Sequence, residues 1–489
     1  MANAQTIARA TDELTTHSAP CPLAADAVTA DWPRFLGPLG TGVITETHLR
    51  DDLEANPPTL LWSYETGSGY AAPAIAEDRL VFAHRVGDTV HVDCLDPTTG
   101  KRFWRRSHPC TYAGEYISDS GPRASPVIDR GRVFVHSVEG RLRCFDLATG
   151  DVLWERNPTQ EFGIGDQFFG VVSSPLIYRS PGNSSQPDVL IQNIGAPKAL
   201  GGATVAAFDV ATGEIVWSSG AVWGPSCASP VLATLRRDRH SNDHSNDRVF
   251  VVTGGKTRPP TGGLMVLDPA DGRVILEHPF RSRTYASVNG ASPVVAPAGD
   301  AVFLTAAYNL GTVRVDIDAD ETFQQAWRNR RVGSEFSTPL LIDGALFVIQ
   351  GRHGRTGAVV AVDPDSGDER SRTEFVWDKT IVSNGSERTI DRSIGSASMI
   401  FVQDRALVLG DSGDLLWVAL NPDGPTLDSR VALFDAPETW TPPVVRHGLL
   451  YICQNRPGRF ADQGTPPRLM AYDFRASAAR TTNRRPTAR

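Results

Sequence analysis

Hydrophobic residues along this chain fall into short strand-length runs, and the runs recur in a fixed order. A Ser-Pro or Thr-Pro-like step opens each unit, two apolar strands follow, and an Asp-bearing turn leads to an outgoing strand. The clearest copy reads Ser125-Pro126, Val133-Phe134-Val135, Leu142 to Asp146, Thr149-Gly150 and Trp154. The unit returns about every 50 residues, so no copy buries its own apolar face and each must stack on its neighbours. No segment holds the i, i+3, i+4, i+7 apolar stripe of a helix over three turns.

Turn positions mark the units: Asp96, Asp146, Asp209, Asp268, Asp316, Asp363, Asn421 and Asp473. The first three share one spacing, with Gly100 and Trp104, Gly150 and Trp154, Gly213 and Trp217 at matching offsets. Asp accepts backbone N–H groups two residues on, and Gly supplies the positive φ of a bulged hairpin turn. A Trp on the outgoing strand offers a broad face to the next unit. Later copies decay. Leu276 replaces the Trp, Asp316 has no Gly and a late Trp327, and Asp363 with Gly367 leads through a longer arm to Trp377. Asp473 ends the last copy with no outgoing strand, while Leu60 to Tyr64 supplies a spare Trp-bearing strand before the first. Pairing the two closes a ring and removes the open edge of a linear stack. The expected fold is all-β: an eight-bladed β-propeller of four-stranded antiparallel blades, closed by a strand at about 60–64. In the second unit Ala124 to Ile128 is innermost and Val152 to Arg156 outermost.

Composition narrows the picture. The 489 residues are 40% hydrophobic, enough for a packed core, and no run reaches the length of a spanning helix. A net charge of −8 argues against nucleic acid as partner. The 44 Gly and 35 Pro are spread along the chain, as frequent tight turns require. The six cysteines form no Cys-x-x-Cys pair; Cys94 and Cys144 share a slot two residues before the turn Asp, occupied elsewhere by Ala207, Val266, Ala361, Ala419 and Ala471, with Arg314 the exception, and read as core thiols. His240 and His244 lie in a polar loop and imply no metal site. Residues 1–31 and 475–489 are expected to be disordered flanks, 32–59 a segment packing on the ring, and 60–474 the propeller. No secretory signal is visible, which reads as cytoplasmic.

The Asp-x-x-Thr-Gly-x-x-x-Trp repeat resembles the pyrroloquinoline-quinone (PQQ)-like β-propeller superfamily over roughly residues 60–474, and Trp32 to Pro38 is similar to a leading segment of its bacterial members. The resemblance implies one of two roles, in a superfamily often periplasmic: a quinoprotein alcohol dehydrogenase, or a cofactor-free scaffold like the propeller lipoprotein of outer-membrane barrel assembly. The fold brings the connections into the innermost strands to one channel mouth. Candidate residues there are Arg123, Asn289, Glu335, Arg392 and Trp440, with Asp391 beside them. A quinone enzyme would use Glu335, Asn289 and Asp391 as cation ligands or base, and Arg123 or Arg392 for the quinone carboxylates. The adjacent Cys-Cys pair of many such dehydrogenases is absent. A basic set, Lys198, Lys256, Arg352, Arg355 and Arg456, lies on the loops between second and third strands and suits an anion. The expectation is therefore a monomeric, non-catalytic binding module with no cofactor, recognising a protein, peptide or anionic ligand. A PQQ- and calcium-dependent alcohol or sugar dehydrogenase is the alternative.

Overall fold

The computed structural model describes residues 14–114, 119–165, 167–182, 185–195, 203–220, 223–235, 246–318, 321–352, 355–383 and 386–476. His240, His244 and Lys198 lie outside them. Eight four-stranded antiparallel blades surround a central channel. Blade 1 comprises Ala74–Ala76, Arg79–Val86, Thr89–Leu95 and Arg102–Pro109; blade 2 comprises Val127–Asp129, Arg132–His136, Leu142–Asp146 and Val152–Arg156. Blades 3 to 7 span 176–219, 231–279, 294–329, 340–374 and 398–432. Blade 8 takes Val444–Arg446, Leu449–Gln454 and Arg468–Asp473 from the end of the chain and Thr59–Glu65 from its beginning, with Trp62 opposite Ala471. The ring closes as the spare strand requires.

One contact repeats between blades and explains the motif. Each Trp reaches into the Asp turn of the next blade and donates its indole N–H to a turn carbonyl: Trp62 to Pro97, Trp104 to Leu147, Trp154 to Val210, Trp217 to Pro269, Trp327 to Pro364. The indole lies against the turn Gly so closely that a Cβ on Gly150 would stand 2.6 Å from Trp104. Gly150 also holds φ +75°, so both conformation and space demand glycine there. Trp104 and Trp154 stand opposite Cys94 and Cys144, as Trp217 and Trp62 stand opposite Ala207 and Ala471, so a small side chain leaves room for the cross-strand indole; Arg314, opposite Trp327, is the exception, its guanidinium held by Asp316 and Asp365.

Where the motif decays, both halves of the contact go together. Leu276 of blade 4 replaces Trp, and the blade 5 turn after Asp316 has no Gly. Trp377 does not continue blade 6. The fourth strand is Glu369–Glu374, and Ser371 stands in the Trp slot opposite Ala361, its hydroxyl donating to Pro422 O at 2.8 Å. Trp377 instead belongs to an added hairpin, Val376–Ser383 with Ser386–Ser393. A polar strand of Glu, Arg and Ser ends the blade, and the apolar residue after it starts a new element.

Ser-Pro steps knit the inner strands. The backbone N–H groups of Ala72, Ser125, Ser174, Ser229 and Ser292 donate in turn to the hydroxyls of Ser125, Ser174, Ser229, Ser292 and Thr338. Pro after each Ser removes an N–H that the innermost edge has no strand to receive. In blade 7 Met399 replaces the Pro, and Ser398 Oγ has no partner.

The flank before residue 32, expected to be disordered, is ordered over its described part. Leu14–Thr16 pairs outside Thr59–Glu65 as a fifth strand, covering that open edge, and Cys21 N–H donates to Asp473 at 2.9 Å. Arg475 bridges to Leu49 at the other end. Residues 32–44 cross the channel end away from the mouth. Trp32 pairs with Ile75 of blade 1, Pro33 O accepts from Ile128 of blade 2, and Gly42 and Ile44 bond Phe401 of blade 7. The segment closes one end of the channel.

Candidate functional site

The closed channel becomes a cup of about 630 Å³. Phe35 and Leu36 of the crossing segment contribute to its lining at the closed end. Its wall follows a sequence rule. Two residues before the Ala, Ser or Thr at the step of blades 1 to 7 stand Tyr70, Arg123, Val172, Cys227, Gly290, Phe336 and Ser396, and all line the cup; in blade 8 Trp440, one residue before Thr441, lines it in place of Thr439. Alternate residues of a strand share a face, so if the knitting Ser faces the axis, so does its neighbour two back. Counting back from each Pro step would have found Tyr70, Cys227 and Phe336, which a search for charged residues passed over. Phe169 and Tyr308, on irregular loops, carry no comparable signal.

Of the sequence candidates, Arg123, Glu335, Arg352, Arg355 and Trp440 meet at the cup. The others do not. Asn289 is 1% exposed, and its amide donates to Thr253 O and Phe280 O at 2.8 and 2.9 Å, bracing two loops. Lys256 lies over the Phe168 ring, and Arg456 stands 3.9 Å from Glu438. Arg392 faces an adjoining pocket of about 360 Å³ that also contains Asp391, Asp411 and Arg459, and shares Arg355 with the cup.

The chemistry of the cup is cationic and aromatic. Arg123 donates to the carbonyls of Asp119, Gly121 and Phe169 at 2.6 to 3.2 Å and makes no ion pair among the described residues. Arg352 and Arg355 likewise form none. Tyr70 stacks on Trp440 with centroids 5.1 Å apart, and Phe336 lies 5.0 Å from the same indole. Tyr70 donates to Glu438 at 2.6 Å, and burial followed by that carboxylate raises its phenol well above the usual range. Tyr308 donates to Glu335 at 3.3 Å; burial first, then Glu335, pushes it up to about 12. Burial also lifts the Cys227 thiol to about 12 against the pull of Arg123 and Arg281. Among its described residues the wall carries three guanidinium groups, of Arg123, Arg352 and Arg355, and one carboxyl group, of Glu335.

A quinone with its divalent cation sets two demands, and the residues meet one. Arginines beside an aromatic wall suit a planar polyanion. A hard cation needs six or more oxygen ligands, carboxylates prominent among them. Among the described residues Glu335 is the single carboxylate of the wall, Asn289 is engaged elsewhere, Asp391 belongs to the adjoining pocket, and no three His, Cys, Asp or Glu converge. The organic anion fits; the cation does not.

Comparison with known proteins agrees with this architecture. The chain is 36% identical over 107 residues to the 1-butanol dehydrogenase (cytochrome c) of Thauera butanivorans, which covers 20% of this chain and 14% of that protein. It is 28% identical over 167 residues to the quinohemoprotein alcohol dehydrogenase of Comamonas testosteroni, 32% of this chain and 21% of that one. The aligned parts are thus less than a third of either relative. The crystal structure of the Comamonas enzyme superposes over 92% of this chain and 81% of its own, with a TM-score of 0.57 and 13% identity, a likeness of fold. A family model described as outer membrane protein assembly factor BamB matches residues 52–156 and 88–373, two overlapping stretches that span more than half of the sequence. The chain belongs to this family of PQQ-like β-propellers.

Proposed function

We propose that the protein is a non-catalytic recognition propeller whose cup binds an anionic ligand, either a small molecule or the acidic end of a peptide. The observation that supports this reading is the meeting of Arg123, Arg352 and Arg355 with the Tyr70–Trp440–Phe336 row on one blind cavity, whose described residues include a single carboxylate. Guanidinium groups without carboxylate partners attract anions, and an enclosed wall screens that attraction less than open solvent does. The double variant Arg352→Gln/Arg355→Gln should bind acidic ligands at least ~10-fold more weakly, since one charge-assisted hydrogen bond is worth about 1.5–3 kcal/mol. Calorimetric titration at two salt concentrations checks this; unchanged affinity removes the reading.

The named relatives favour a second reading, a quinone-dependent alcohol dehydrogenase with Glu335 as base. Dye-linked oxidation of primary alcohols by protein incubated with PQQ and calcium, lost in Glu335→Gln, would support it.

A further inference from the structure

Unpaired cations of the mouth are gathered on one side. The connections that reach it from blades 4, 5 and 6 are residues 253–262, 280–293, 307–310, 330–339 and 351–357. Glu335 is the one carboxylate in their sequence. Arg258, Arg283, Arg330, Arg331, Arg352 and Arg355, all on these connections, are exposed, and none forms an ion pair among the described residues. Across the mouth the pattern differs. In blades 1 and 8 arginines stand beside carboxylates: Arg85 by Asp88, Arg456 by Glu438 and Arg459 by Asp435. The chain carries a net charge of −8, so the arc is a basic patch on an acidic molecule, and its field draws anions to this part of the rim. Arg330 and Arg331 lie at the perimeter, directly after the outer strand Phe323–Asn329 of blade 5, whereas Arg352 and Arg355 line the cup. Gln350 links the two pairs: its Nε2 donates to Arg331 O at 3.0 Å, and it ends the strand that leads into Arg352. Asn329 Oδ1 accepts the Arg331 N–H at 2.9 Å, which fixes the backbone there. The arginines mark a path from the edge of the ring to the cavity.

We infer that this arc is a docking track for an extended acidic segment of a partner polypeptide, laid across the mouth of blades 4 to 6 with its end in the cup. This deepens the anion-binding reading and rests on it. The dimensions agree: the outer and inner strands of a blade are three spacings apart, about 15 Å, which about five extended residues cover. Guanidinium groups at intervals along that path suit carboxylates, which they meet in bidentate pairs. Other polyanions fit worse. Single-stranded nucleic acid binds by stacking its bases on open aromatic faces, and Tyr285 on the arc is already covered by the Arg258 guanidinium, 3.8 Å from its centroid. An anionic bilayer is flat and would also press on Asp88, whose side chain is 94% exposed at the mouth of blade 1. A peptide follows the arc and leaves the rest of the rim alone.

The test is calorimetric titration of the full chain. The probes are a peptide of about eight residues alternating Glu and Ser, its Gln-for-Glu counterpart, the dipeptide Glu-Glu, an oligothymidylate of the same length, and phosphatidylserine vesicles. The acidic peptide should bind saturably, more weakly as salt rises, and at least ~10-fold tighter than the dipeptide or the Gln counterpart, because several exposed pairs add up. Arg330→Gln/Arg331→Gln should weaken the peptide ~5-fold or more and leave the dipeptide within ~2-fold, with the melting temperature unchanged, since both side chains are exposed. Arg283→Gln checks the blade 4 side in the same way, and Arg352→Gln/Arg355→Gln should weaken peptide and dipeptide alike. Arg130→Gln, exposed in a turn at the closed end of the channel, should change neither. Equal affinity for peptide and dipeptide, or no loss in Arg330→Gln/Arg331→Gln, overturns the arc and leaves the anion-binding cup standing. Oligothymidylate or vesicles bound as tightly as the acidic peptide overturn the partner class. Failure of both peptide and dipeptide to bind overturns the anion-binding reading itself.

Discussion

Each indole of the repeat is half of a contact completed in the next blade, which is why Trp and Gly appear and vanish together. The same scale explains Cys94 and Cys144: they face indoles, and burial raises both thiols to about 12, so they stay protonated and inert. A buried histidine makes a pH prediction. His136, 2% exposed, is driven down to about 4, chiefly by burial, against the Gly140 carbonyl, Glu139 and Gln192. Its folded pKa lies below the unfolded value of about 6.5, so between those values the unfolded chain binds more protons and stability falls as pH drops. The shift amounts to about 3 kcal/mol lost from pH 6.5 to 4. Urea midpoints at pH 7 and 4.5 should separate less in His136→Gln than in the wild type; equal separation would refute the assignment.

Among the elements, the hairpin Val376–Ser383 with Ser386–Ser393 is the largest addition to the repeat. Its anchor is Asp435, 3% exposed, which meets Lys379 at 2.7 Å, Arg459 at 2.8 Å and Arg392 at 3.3 Å. One carboxylate holds two strands of the hairpin and a loop of blade 8. Asp435→Asn leaves three cations facing one another, and breaking such a buried cluster costs about 3–5 kcal/mol locally. Amide exchange across 376–393 should quicken at least ~10-fold while the blade strands keep their protection; a uniform change along the chain would show that the hairpin is not separately anchored. The sequence pattern shows the apolar runs of the blades plainly, because alternation and turn residues obey local rules. It does not separate this hairpin from blade 6, because Trp377 resembles a repeat Trp and its partner strand is recognisable only by pairing.

For the molecule as a whole, closure between the chain ends is the decisive contact. Trp62 is 1% exposed and joins blade 8 to the Pro97 turn of blade 1. Trp62→Ala should cost about 3–5 kcal/mol, read as a shift of the urea midpoint. Leu153→Ala, on an outer strand and 47% exposed, should change stability by less than ~0.5 kcal/mol. Similar losses in both would mean that the ring is not sealed at Trp62.

From the order of residues alone follow the repeat, the eight blades, their strand order and the joining of the two ends, since each rests on local turn chemistry and on apolar faces that must find cover. The sequence also places Arg123, Glu335, Arg352, Arg355 and Trp440 on loops of one rim. Only the folded chain decides that Asn289 turns into a brace, that Arg392 faces a neighbouring pocket, that Phe35 helps close the channel, and that Ser398 loses its partner. Those outcomes depend on which way irregular loops point around a common axis, and that direction is set by packing between residues hundreds of positions apart.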